Sequence, residues 1–177
     1  MENVDSRDLS KVIRTFPDRH TLAFDGLSPS MNTRMDVALI LSNPDVIDLV
    51  TLVLQHRNLR AGGLEPSHDI APIEELIVTS NPSVVVFDLS PPYKNSTAVV
   101  RALLNRFPDR AFVFTCADPV LAIRAARWLS WHPVLQKPYD PDEIVGIVSS
   151  LVRRNRRIVE EIIVTKTAVS SDTVIVS

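Results

Sequence analysis

Three polar residues stand at the ends of apolar runs. Asp88 closes SVVVFD, Thr115 closes AFVFT, and Lys137 follows the short run HPVLQ and precedes Pro138. Their chemistries are complementary. A carboxylate can act as a nucleophile toward an activated group. An ammonium is a compact charge that pairs with phosphoryl or carboxylate oxygens, and a hydroxyl can donate to the same oxygens. Each residue also has a plainer reading: Asp88 and Lys137 as a structural salt bridge, Thr115 as an ordinary strand residue. The remaining chemistry-bearing types are sparse. His20, His56, His68 and His132 have no metal-ligand spacing. Gly62-Gly63 is followed by neither a GxGxxG nor a GK[ST] pattern, so it reads as a turn region rather than a nucleotide loop. Cys116 is the only cysteine, which excludes an intrachain disulfide and a cysteine-based zinc site and leaves it as a small buried filler.

The elements that must position Asp88, Thr115 and Lys137 follow from the hydrophobic pattern. Residues 37–41 (VALIL), 83–88 and 111–115 are continuous apolar runs suited to strands buried on both faces. A weak strand is expected near 61–65 and a short last one over 132–136. Between them, apolar residues recur at helical spacing. The first helix starts from Ser42-Asn43-Pro44-Asp45 and runs to about Arg57. Further helices are expected over 70–79, 96–107 and 119–130, and a last one begins at Asp140-Pro141-Asp142-Glu143, with acidic residues at its positive end. Five β/α units of this kind predict an α/β fold, a doubly wound five-stranded parallel sheet with helices on both faces. In such a sheet, sites form outside the carboxyl ends of the strands, where the three polar residues would converge.

On these residues the stretch from about 37 to 152 resembles a response-regulator receiver domain. The matching segments are PSVVVFDLSPP (82–92), FPDRAFVFTC (107–116) and QKPYDPDEI (136–144). The resemblance implies a flavodoxin-like three-layer sandwich with strand order 2-1-3-4-5. It implies Asp88 as phosphoacceptor, Thr115 as the hydroxyl donor and Lys137 as the phosphate-pairing cation. It also implies Mg²⁺, held in receivers by an acidic pair at the end of the first strand. Here that position reads Leu41-Ser42-Asn43, so the pair is absent, and Asp88 with the Ser90 carbonyl would be a weak metal site. Two further departures stand out. Val134 occupies the position of the usual switch aromatic, and Tyr93 replaces a small residue beside Pro92, where its ring could cover the pocket.

The flanks are read separately, as an irregular leader over 1–36 with one amphipathic helix over 8–16, and a basic extension with a β-branched tail over 153–177. Trp128 and Trp131 lie on what is the output face in receivers, and Trp131 is the candidate interface anchor. Ile144, Val148, Leu151, Asn155, Ile158 and Ile162 are spaced as a short heptad seam, with Asn155 at a register-setting position, which would suit a homodimer. Residues 164–177 suggest a small hairpin, an added strand or a disordered end. The chain has 177 residues, 45% apolar and 23% charged, with net charge −2. No run is long enough for a membrane span, and the polar first residues carry no secretory signal. The charge gives no bias toward nucleic acid, and the tail is too short for a DNA-binding output domain. The expectation is a cytoplasmic, non-enzymatic signalling and protein-interaction module of the phosphorelay class, with weak or no Mg²⁺-dependent phosphorylation. Its partners would be a histidine kinase or a downstream signalling protein. A working phosphoacceptor at Asp88 and a small-ligand-binding α/β domain are the alternatives.

Overall fold

The computed structural model describes residues 34–66 and 69–171. The predicted helix over 8–16, nearly all of the leader, and residues 172–177 lie outside the described residues. Five strands, β1 (Val37–Ile40), β2 (Ala61–Leu64), β3 (Val84–Leu89), β4 (Ala111–Cys116) and β5 (Val134–Gln136), form one parallel sheet in the order β2-β1-β3-β4-β5. The helices are α1 (Pro44–His56), α2 (Ala71–Ser80), α3 (Tyr93–Arg106), α4 (Pro119–Ala125) and α5 (Pro141–Ser171).

The continuous apolar runs become strands because both of their faces are covered. Every residue of β1 and β3 is buried. Alternate side chains point to opposite layers. Leu39, Val86 and Val113 pack with Val50 and Leu54 of α1 and Ile144, Val148 and Val152 of α5. Ile40, Phe87, Phe112 and Phe114 pack with Ile73 and Ile77 of α2 and Val100 and Leu103 of α3. Each large side chain so buried contributes about 1.5–3 kcal/mol. Helix starts are fixed locally. Asn43 caps α1, its side-chain oxygen accepting from the Asp45 N–H at 2.9 Å, with Pro44 in the first turn. Asp118 caps α4 by accepting from the Leu121 N–H at 2.9 Å.

Several elements depart from the sequence expectation. Gly62 and Gly63 are strand residues paired with Ala38 and Leu39, not a turn. At Gly63 a Cβ would lie 2.1 Å from the Leu39 carbonyl oxygen, so only glycine lets β2 approach β1 this closely. The helix expected over 119–130 stops at Ala125. Ala126 is extended (φ −150°, ψ 96°), and a 3₁₀ turn (Arg127–Trp131) follows, placing Leu129 in the core. None of the readings of 164–177, a small hairpin, an added strand or a disordered end, describes the segment through Ser171, where α5 continues instead. No Pro or Gly follows Gly146 in this helix, and propagating a helix costs far less than nucleating one, so β-branched residues alone do not end it.

Asn155 does not serve the proposed seam. Its amide donates to the Ser83 carbonyl at 3.0 Å, on the chain's own sheet. One residue on, Arg156 pairs with the buried Asp36 carboxylate at 2.8 Å, and the Arg60 N–H donates to the other Asp36 oxygen at 2.9 Å. Burial pushes the Asp36 pKa up, but the Arg60 N–H and the Arg156 guanidinium outweigh it and hold the carboxyl below its ordinary value. Ile144, Val148 and Val152, each four residues from the next and with Leu151 beside them, thus form the stripe that packs α5 on the sheet.

Candidate functional site

Asp88, Thr115 and Lys137 do converge, because parallel register brings their strand ends together. Asp88 pairs with Thr115 across β3 and β4, and β5 ends at Gln136, immediately before Lys137. The Lys137 ammonium lies 2.5 Å from Asp88 Oδ2. Thr115 Oγ1 donates to Asp88 Oδ1 at 3.1 Å. The Ser42 hydroxyl also bonds Asp88 Oδ2, and the Ser42 N–H approaches the same oxygen at 3.3 Å. Asp88 is 1% exposed and Lys137 37%. The carboxylate is therefore sealed in a cage of four donors, with the cation as its solvent-facing wall. Taking these two charges out of water costs about as much as their attraction returns, whereas removing either partner strands the other.

Sequence reasoning missed Tyr139, whose phenol lies beside Thr115 and within the field of Asp88. Burial and the Asp88 carboxylate push its phenol pKa up, and the Thr115 hydroxyl pulls it part of the way back. The signal was available: Tyr139 sits two residues past Lys137 at the same strand end. The Lys137–Pro138 peptide bond is cis, as is Pro91–Pro92. Tyr93, expected to cover the pocket, is instead buried in the core on the other side, and its hydroxyl accepts from the Asp118 N–H at 3.0 Å. It links the start of α3 to the cap of α4.

Mg²⁺ asks for a near-octahedral oxygen shell and is usually held by one or two carboxylates plus water and phosphate. Asp88 is a carboxylate already neutralised by Lys137. The Asn43 oxygen is spent on its helix cap. The Ser90 carbonyl accepts from Ser96 Oγ at 3.1 Å, and Ser90 is exposed. Among the described residues no group of three or more His, Cys, Asp or Glu side chains is placed to hold a metal ion. This donor set does not fit Mg²⁺.

Two clefts flank Asp88. One, about 450 Å³, is bordered by Glu65, Ser90, Pro91 and Asn95. The other, about 460 Å³, lies between α1 and the chain leading into α5. Of the expected interface residues, Trp128 is turned inward. It packs edge-on against Phe114 (centroids 6.1 Å apart) and against His132, whose pKa burial pushes down. Trp131 is 84% exposed, and Val120 and Leu121 of α4 are also exposed.

The receiver domain of nitrogen regulatory protein C is similar at TM-score 0.55 and 17% identity, over 70% of this chain and 98% of that one. The signal receiver domain of an HD domain-containing protein from Pseudomonas fluorescens Pf-5 is similar at TM-score 0.58 and 14% identity, over 70% and 98%. The chain has the fold of a response-regulator receiver domain. The CheY-like protein TadZ from Pseudomonas aeruginosa PAO1 is similar at TM-score 0.52 and 18% identity, over 67% and 99%. No family model matches the sequence, and no curated protein matches it. The receiver fold accounts for the sheet order and for the convergence of Asp88, Thr115 and Lys137 at the carboxyl ends of β3, β4 and β5. Among the described residues no helix is long and apolar enough to cross a membrane.

Proposed function

We propose that this chain is a cytoplasmic, non-enzymatic signalling module of the two-component class that acts through protein contacts, with weak or no Mg²⁺-dependent phosphorylation of Asp88. The observation that carries the reading is the state of Asp88. Both of its oxygens are bonded inside the protein, and the place where receivers hold an acidic pair supplies a serine hydroxyl to that same carboxylate. Phosphoryl transfer to a carboxylate brings two anions together and depends on a cation between them. Here the Ser42 and Lys137 side chains occupy the near side of Asp88. Exposed Trp131, with Val120 and Leu121, supports a protein-binding face on α4 and the following 3₁₀ turn. A histidine kinase or a downstream signalling protein would be the partner, and a second copy of this chain is the other candidate.

A second reading keeps Asp88 as a working phosphoacceptor, favoured by the joint placement of Asp88, Thr115 and Lys137. Incubation with Mg²⁺ and a small phosphodonor, read by intact mass, separates the two. The expected result is an unmodified chain. A phosphoryl mass increment that is absent in Asp88→Asn overturns the first reading and establishes the second.

A further inference from the structure

The cleft between α1 and the start of α5 adds apolar walls to one side of the Asp88–Lys137 pair. Its walls are Val46, Leu49 and Val50 of α1 on one side and Pro138, Tyr139 and Pro141 on the other, with Asp88 and Lys137 at the floor. Its volume of about 460 Å³ is of the size that takes a small molecule. Apolar walls with a few convergent polar atoms are the usual make-up of such sites. Leu49 is 45% exposed although its neighbour Val50 is buried against the sheet, so the apolar surface of α1 extends past what the protein's own core covers.

The floor decides the chemistry of an occupant. Asp88 is 1% exposed and both its oxygens are bonded within the protein, so it offers nothing to a cationic ligand. Lys137 neutralises it. Among the described residues the Lys137 ammonium bonds Asp88 and, at 3.5 Å, Ser42 Oγ, which leaves one of its three hydrogens as a donor. An anionic ligand would set a second negative charge beside the Asp88 carboxylate, and any net charge held between apolar walls pays a desolvation cost with no unspent counter-charge to offset it. A neutral molecule with one acceptor oxygen pays neither.

We propose that this cleft binds a neutral, mainly apolar small molecule whose single carbonyl-type oxygen accepts from Lys137 while its hydrocarbon part lies against Val46, Leu49 and Tyr139. The proposal concerns the chain with Asp88 unmodified and paired with Lys137, and its test uses no phosphodonor, so it is decided separately from the phosphorylation experiment.

Methyl and amide NMR titrations of the full chain with 2-heptanone, heptanoate and heptylamine test it. The ketone is expected to shift the Val46, Leu49 and Val50 signals saturably and to bind about tenfold or more tighter than either charged analogue. Leu49→Asp, an exposed substitution whose fold is checked by circular dichroism, is expected to weaken the ketone about tenfold. Lys137→Met should weaken the ketone and narrow its advantage over n-heptane. The proposal is overturned if no probe shifts the cleft signals saturably, if all three bind alike, or if Leu49→Asp leaves the ketone affinity unchanged.

Discussion

Asp88 owes its environment to donors from three separate strand ends: Ser42 after β1, Thr115 in β4 and Lys137 after β5. A buried carboxylate with a single cation makes a coupled pair, so removing one partner should cost more than removing both in proportion. Lys137→Met is expected to lower unfolding stability by about 2–4 kcal/mol. Asp88→Asn should cost less, because an amide keeps hydrogen bonds to the Thr115 and Ser42 hydroxyls. In the double variant most of the Lys137→Met penalty should disappear. Urea unfolding of the three proteins checks this, and strictly additive losses would mean that the pair is not coupled. The Mg²⁺ argument is testable at the same scale. Ser42→Asp combined with Asn43→Asp keeps a helix cap at position 43 but sets new carboxylates beside Asp88. The melting temperature of that variant should fall without Mg²⁺ and recover with it, while the parent is indifferent. A parent melting temperature that rises with Mg²⁺ would contradict the misfit of this donor set to the ion. Asp88, Thr115 and Lys137 were legible in the sequence because each ends an apolar run or directly follows one. The Ser42–Asp88 bond was not, because it depends on which loops meet across strands distant in sequence.

The strands and most helices were legible because their periodicity is strong, and the failures have local causes. Gly62-Gly63 looked like a turn because glycine is the commonest turn residue. The close approach of β2 to β1 supplies another reason for glycine, visible only once the strands pair. Gly63→Ala should force that pair apart and lower stability by roughly 1–3 kcal/mol, measured by urea unfolding. A neutral effect would show that β2 shifts without cost. The seam read into 144–162 follows the same spacing that packs α5 on its own sheet, and periodicity alone does not distinguish these partners. The Asp36–Arg156 contact does, since it ties α5 to the entry of β1. Asp36 has a depressed pKa in the folded protein, so its contribution is present above the unfolded value near 3.8 and is lost as the pH falls through the lower folded value. Asp36→Asn should therefore destabilise the protein at neutral pH, by about 1–2 kcal/mol. Its deficit against the parent should shrink as the pH drops below about 4. A deficit that stays constant between neutral and acid pH would assign the effect to packing instead.

At the scale of the whole molecule, the receiver fold is carried by five strands and five helices with little help from sequence identity, which stays at or below 18% in the neighbours described. What persists is the doubly wound sheet, and in this chain the crevice at its carboxyl edge gathers Asp88, Thr115 and Lys137. Fold alone does not assign a function. The Ser42 bond to Asp88 and the burial of that carboxylate are what support the proposal of a module that signals through its surfaces rather than one that turns over phosphate. The claim is tested most directly by adding Mg²⁺ and beryllofluoride to the isotope-labelled chain and following the amide signals of Ser42, Asp88, Thr115 and Tyr139. The account predicts that these signals stay in place at saturating Mg²⁺. A saturable, Mg²⁺-dependent shift of all four that vanishes in Asp88→Asn would contradict it.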